Sequence, residues 1–250
     1  MKFQAHRGVS SEYPENTMPA FYAAWEQGYH VLEIDPRFTS DGRCVAFHDN
    51  TINRTCRTPE GDALAEQTVI ESVSWDYLKT LDAGLFKGEK FAGTRVPLLR
   101  EVLDFAKEKG LACKIDNKFS SFPLWQQEAL FDIAEASDAD VGFTCKNVEV
   151  VRQIVARFPG AHIHYDGLVT EPILQEIVGI LENNGLTVWL ALDTPLTGWV
   201  KIPKADPVIC AMVKKYADLG IWILNTQEEL DQAKTFGADI IETNGVLKPE

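Results

Sequence analysis

Seven residues in the first half of the chain have types and spacings suited to chemistry on a phosphate ester. Glu33 and Asp35 lie two apart on the apolar run from Val31 to Ile34. On an extended strand, side chains two apart share a face. Two buried carboxylates repel each other unless a cation lies between them. One hard divalent ion bound through oxygen, Mg2+ or Ca2+ with Mn2+ as a further option, satisfies such a pair. The alternative is two surface carboxylates on a polar edge. Asp116 ends the apolar run from Leu111 to Ile115 and offers a third carboxylate. Lys118, two residues on, suits a phosphoryl group held beside a metal, or a simple salt bridge. Arg7 offers a bidentate fork to phosphate, or a partner for Glu15, and the two roles are compatible. His6 and His48 end different extended runs. Two imidazoles can take a proton from an attacking oxygen and give one to a leaving alkoxide. Each histidine alone also has a structural reading. Asp49 either orients His48 or caps its hairpin. The His162-x-His164 pair reads as a metal pair or as two structural histidines.

These residues need elements to hold them. Eight short apolar runs end in polar groups, at His6-Arg7, Asp35, Asp116, Lys146, Asp166, Asp193, Asn225 and Asn244. Between most of them lie helical patterns, Thr17 to Gln27, Leu99 to Lys109, Leu124 to Ala136, Val148 to Phe158, Thr170 to Asn183, Pro207 to Leu219 and Gln227 to Phe236. Most are followed by a glycine, a helix-stop signal. Thr226 and Asp206 read as helix starts, as does Ser121 ahead of a proline. This alternation predicts a (β/α)8 TIM barrel over residues 1–250, as a single domain. An open doubly wound sheet is the runner-up, and the Gly-rich loop it would carry after its first strand is missing. Asp41-Gly42 predicts a hairpin of Phe38-Thr39 with Cys44 to Phe47. An insertion from Asn50 to about Arg95, with a short helix near Trp75 to Leu81, then precedes the third barrel strand. In a barrel, functional groups come from strand C-termini, which collects His6-Arg7, Glu33, Asp35, His48-Asp49, Asp116, Lys118, Trp222 (at the start of the seventh strand) and Asn244 in one place.

The 250 residues carry a formal charge of -13, which disfavours nucleic acid and anionic membranes as partners while leaving a small anionic substrate open. The five cysteines are scattered, with no CxxC pair, and read as free thiols of a reducing compartment. No signal-peptide-like or membrane-spanning apolar run is present. The expectation is a cytoplasmic protein acting on a small phosphodiester, with no membrane insertion; a homo-oligomer is left open. Neither a GxSxG elbow nor a P-loop occurs.

The sequence resembles the glycerophosphodiester phosphodiesterases, a family of TIM-barrel enzymes. The resemblance rests on HRG at His6 to Gly8, PENT at Pro14 to Thr17, ExD at Glu33 to Asp35, the T-x-DG-x-x-V-x-x-HD pattern from Thr39 to Asp49, RT at Arg54-Thr55 and PLLREVL from Pro97. It implies a divalent cation on Glu33, Asp35 and Asp116, an acid/base pair of His6 and His48, and phosphate on Arg7 and Lys118. Trp222 would pack on the glycerol or leaving group. The implied reaction releases glycerol 3-phosphate and an alcohol. Two positions depart from the family pattern. Asp116 stands where a glutamate is usual, which shortens the arm by ~1.5 Å. Asn244 stands where an aspartate is usual. Both resemble the sphingomyelinase D-like enzymes, which release cyclic phosphates. A non-catalytic sugar-phosphate-binding barrel is the third alternative. Lys114, on the face of Asp116, suggests a substrate with additional negative charge.

Overall fold

The computed structural model describes residues 1–181, 184–192 and 204–249. Eight parallel strands close a barrel: β1 (Lys2–His6), β2 (Val31–Ile34), β5 (Ala112–Ile115), β6 (Val141–Cys145), β7 (Ile163–Tyr165), β8 (Leu186–Ala191), β9 (Asp218–Trp222) and β10 (Ile240–Thr243), with β10 returning to β1. Two further strands, β3 (Pro36–Phe38) and β4 (Cys44–Ala46), pair antiparallel outside it. The helices are α1 (Met18–Glu26), the short α2 (Trp75–Leu78), α3 (Leu99–Lys109), α4 (Leu124–Ser137), α5 (Val148–Arg157), α6 (Glu171–Ile180), α7 (Pro207–Val213) and α8 (Gln227–Thr235). The expected TIM barrel with a hairpin and insertion between its second and third strands is what forms. Among the described residues, no helix is long and apolar enough to cross a membrane. All five cysteines are buried and free.

Period-2 alternation sorts each barrel strand into two sets. One set packs outward against the helices and builds the main core, with Ala5, Leu32, Ile34, Cys113, Ile115, Phe143, Ile163, Val188, Leu190, Ile221 and Ile241. The other set faces the lumen and is largely polar: Gln4, Glu33, Lys114, Thr144, His164, Thr187 and Glu242 are all buried. The lumen's apolar cluster is small, built on Val31, Trp189 and Ile240. Two glycines make room in it. A Cβ on Gly220 would lie 2.6 Å from the Trp189 ring, and one on Gly142 would lie 2.7 Å from His164 Nε2.

That crowding explains one difference from the expected elements. Gly220 reads in the sequence as a helix stop, with a strand starting at Ile221. Instead α7 ends at Val213, and Gly220 lies within β9 because only glycine leaves space for Trp189. Trp222 therefore ends its strand, where the sequence reading had it at the start. The expected cap at Ser121 does not form: α4 begins after Pro123, which makes no side-chain cap. Asp206 does cap α7, and Thr226 with Glu229 forms a capping box on α8. Asn183 and Asp193, expected ends of a helix and a strand, lie outside the described residues.

The insertion has a core of its own. Val45, Phe47, Ile52, Cys56, Ile70, Leu78, Leu81, Ala83 and Val96 form a cluster separate from the main one. This satellite core backs the β3–β4 hairpin, whose exit carries His48.

Candidate active site

The eight candidate residues His6, Arg7, Glu33, Asp35, His48, Asp116, Lys118 and Trp222 line one cavity of about 210 Å3 at the C-terminal mouth of the barrel. Lys114, Thr144, Asp166, Trp189, Ile223 and Glu242 complete its lining. Strand register brings the parts together, with His6 beside Glu33 and Glu33 beside Lys114.

The turn after β1 is tight. Arg7 and Gly8 have φ of 59° and 78°, and a Cβ on Gly8 would lie 2.6 Å from the Ala20 backbone. This turn aims the Arg7 backbone N–H at Glu33 Oε2, 3.1 Å away. The Arg7 side chain holds Glu15 through Nη1 at 2.9 Å and also reaches Asp35, with Nε 3.1 Å from Oδ2. The expected pairing of Arg7 with Glu15 forms. Glu15 in turn accepts from Arg54, and Arg54 Nε donates to Asp49 Oδ2 at 2.6 Å. A chain of charges thus runs from Arg7 to the hairpin histidine.

Glu33, Asp35 and Asp116 each present a carboxylate oxygen within 4.8 Å of the others. Burial and repulsion from Asp35, Glu242 and Asp116 push Glu33 well above the usual carboxylate range. Burial would raise Asp35 too, but Lys118, Arg7 and His48 outweigh it and hold the group well below its ordinary value. Lys118 Nζ donates to Asp35 Oδ1 at 2.5 Å and to Asp116 Oδ1 at 3.0 Å. Fully ionised, the three carboxylates would outnumber the two cations beside them, Lys118 and Arg7, by one charge, an excess that the raised pKa of Glu33 reflects. A divalent ion would turn that into one positive excess, the complement of a singly charged phosphodiester. Donor type, spacing and charge all fit a hard cation.

Asp116 also accepts from the backbone N–H of Lys118 at 3.0 Å, capping the turn Asn117–Ser121. A short carboxylate arm is the preferred kind for a cap. The departure from glutamate thus couples the third carboxylate to the turn that carries Lys118.

Both histidines are held through Nδ1, by Asn244 Oδ1 for His6 and by Asp49 Oδ1 for His48, each at 2.7 Å. An oxygen acceptor at Nδ1 places the proton there and leaves Nε2 with its lone pair. Burial, with Lys118 and Arg7, lowers the His48 pKa against the opposing pull of Asp35 and Asp49, so the ring is neutral near pH 7.

Two sequence expectations change. Lys114 does not ask for extra negative charge on a substrate. Its Nζ lies 2.9 Å from Glu242 Oε2 and 4.1 Å from the centre of the Trp189 ring, and Gln4 donates to the same oxygen. The histidine pair is remote from this cavity. His162 and His164 line a second cavity at the N-terminal end of the lumen, bonded to Thr187 and Trp189. Among the described residues, the carboxylate trio is the one group with metal-site spacing. Asn16 was legible only as part of a motif. It clamps Asp35, donating to Oδ2 at 2.8 Å, from a left-handed conformation (φ 53°) that asparagine tolerates. Asn244 was visible as a departure but not as the partner of His6. Its place just after β10, on the lumen period, was the available signal.

Fold and site together define a parallel (β/α)8 barrel whose C-terminal mouth gathers carboxylates, two histidines and a lysine. The model of the glycerophosphoryl diester phosphodiesterase family matches residues 6–159, and the chain belongs to that family. It is similar to the glycerophosphodiester phosphodiesterase of Caldanaerobacter subterraneus subsp. tengcongensis, 40% identical over 114 residues. That match covers 46% of this chain and 44% of the relative, so the chain spans less than half of its length. The Bacillus altitudinis glycerophosphodiester phosphodiesterase is 34% identical over 108 residues, 43% of this chain and 41% of that protein. Among solved structures, an Oleispira antarctica phosphodiesterase in complex with the product sn-glycerol-3-phosphate superposes with a TM-score of 0.76 at 20% identity, over 98% of this chain and 93% of that one. A Parabacteroides distasonis glycerophosphoryl diester phosphodiesterase gives 0.75 at 21% identity, over 97% and 82%. At such identities these likenesses concern the fold.

Proposed function

We propose that the chain hydrolyses a glycerophosphodiester to glycerol 3-phosphate and an alcohol, with His6 and His48 as the acid/base pair. One observation carries this reading: two imidazoles, each tied down through Nδ1, line the same cavity as the carboxylate trio and Lys118. One Nε2 takes a proton from the attacking water. The other, protonated, gives its proton to the leaving alkoxide. Lys118 and Arg7 hold the phosphate. Glu33, Asp35 and Asp116 would hold a divalent cation, Mg2+ or Ca2+, which would supply Lewis-acid charge to the phosphoryl oxygens. Trp222, at the rim of the cavity, packs against an arm of the diester.

The test is a panel of glycerophosphodiesters assayed with Mg2+, Ca2+ and Mn2+, with products followed by phosphorus NMR. Glycerol 3-phosphate should appear, EDTA should abolish it, and His6→Ala or His48→Ala should each remove about 10²–10⁴ of the rate. Accumulation of a cyclic phosphate would replace the hydrolase reading with a lyase. Tight glycerol 3-phosphate binding without turnover would replace it with a sensor.

A further inference from the structure

The groups assigned so far come mainly from β1, β2, β5 and the hairpin. The far side of the cavity carries two polar atoms with nothing to bond to. Thr144 ends the lumen side of β6 and is 2% exposed, yet its Oγ1 has no hydrogen-bond partner. Asp166 follows β7, and its Oδ1 is also buried and unpartnered. The other oxygen, Oδ2, accepts from Asn117 Nδ2 at 2.8 Å, which fixes the carboxylate's orientation. Both residues line the same cavity as the phosphate-type set. In the strand order, β7 lies opposite β1, so Asp166 faces His6 across the barrel mouth.

A buried polar atom without a partner is costly, and proteins keep few of them without a reason. Burial and the charge of Asp116 push Asp166 up to about 7, and above that pH its free oxygen accepts only and repels phosphate and carbonyl oxygen. A threonine hydroxyl donates or accepts. On neighbouring strands, across from the phosphate set, the two match an arm that carries O–H donors. Lys114 donates to Glu242 and lies over the Trp189 ring, which draws its ammonium away from these two oxygens. We propose that Thr144 and Asp166 form a hydroxyl-binding subsite that seats the free hydroxyls of the glycerol arm. It would make the chain selective for polyol phosphodiesters over diesters without hydroxyls. The inference rests on the cavity being a phosphodiester site.

Calorimetric titration of the full chain at pH 8 in Mg2+, with Asp166 ionised, using glycerol 3-phosphate and methyl phosphate tests it. Methyl phosphate keeps the phosphate contacts and lacks the hydroxyls. The wild type should prefer glycerol 3-phosphate by about 10–100-fold, the size of two hydrogen bonds. Thr144→Val removes the hydroxyl at nearly constant shape. In Asp166→Asn, the amide oxygen must face Asn117, so the cavity meets an NH2 donor in place of an acceptor. Each variant should shrink the preference to a few-fold while methyl phosphate binding and the melting temperature stay near wild type. The proposal is overturned if the preference survives both substitutions, if both ligands weaken equally, or if the wild type shows no preference. Because the readout is binding, loss of the preference in the variants supports the subsite even in a chain that turns over no diester. That outcome would sink the hydrolase reading alone.

Discussion

His6 Nδ1 and Asn244 Oδ1 lie 2.7 Å apart although 238 positions separate them in the chain. The barrel closes where β10 meets β1, so the last strand orients a side chain on the first. Asn244→Ala frees the imidazole to rotate. We expect a kcat loss of up to about 10²-fold, the scale of a small misplacement in an active site, with the melting temperature little changed. Asn244→Asp keeps the bond and should retain much more activity. Equal activity in wild type and the alanine variant would remove Asn244 from the account.

His48 gives a pH prediction. Its folded pKa lies below the ordinary 6.5 because of burial, helped by Lys118 and Arg7. Protonation therefore favours the unfolded chain, and the stability due to this group falls as pH drops below about 6.5. With His48 as the base, the acid limb of kcat/KM lies below 6.5. Asp49→Asn removes a carboxylate that favours the imidazolium, so the limb should move lower still. A limb that moves upward in this variant would contradict the assignment.

The Arg54 link should be felt in acid. Burial would raise Asp49, but its bonds with Arg54 and His48 bring it to about 2, from 3.8. A depressed carboxylate stabilises fully above its unfolded value, and the effect is lost as pH falls from about 4 toward 2. Arg54→Met should raise the midpoint of acid unfolding. At neutral pH it should cost no more than about 1 kcal/mol, since Arg54 is half exposed. An unchanged acid midpoint would show that the link carries no net stability.

Cation binding to the carboxylate trio should be visible without turnover. A ligand of the folded state at a hundred times its Kd adds about 2.7 kcal/mol. Mg2+ or Ca2+ should therefore raise the melting temperature of the wild type. Asp116→Asn should remove most of the rise. A rise of the same size in that variant would place the ion elsewhere.

The buried Lys114–Glu242 pair calls for single and double substitutions. Glu242→Gln strands a buried ammonium and should cost about 3–5 kcal/mol by denaturant unfolding. Lys114→Met with Glu242→Leu should cost less than the single change. If the double variant is the less stable, the pair contributes more than its desolvation takes away.

Much of this architecture was legible from the sequence because both periodicities were intact. Val31 to Ile34 and Leu111 to Ile115 read as buried strands, and their polar ends read as a site. The β3–β4 hairpin followed from Asp41-Gly42. What was hidden depends on contacts between strands distant in sequence. Lys114 looked like a spare cation because Glu242, 128 residues away, could not be matched to it without the barrel register. Gly220 looked like a helix stop because its neighbour in the lumen, Trp189 on the adjacent strand, stands well back in the chain beyond a helix and leaves no local trace. Thr144 and Asp166 looked ordinary because an unsatisfied oxygen is a property of surroundings, not of composition.

The satellite core under the hairpin has a consequence for how activity can be lost. His6 belongs to the barrel, whereas His48 follows a hairpin tied on one face to the barrel core through Phe38, Cys44 and Ala46 and on the other to the satellite cluster through Val45 and Phe47. Cooperative units of a protein open with separate free energies. Opening of this unit alone would carry away His48 and leave the eight-stranded wall standing. Activity lost ahead of barrel unfolding in denaturant would identify the smaller unit as the weaker one.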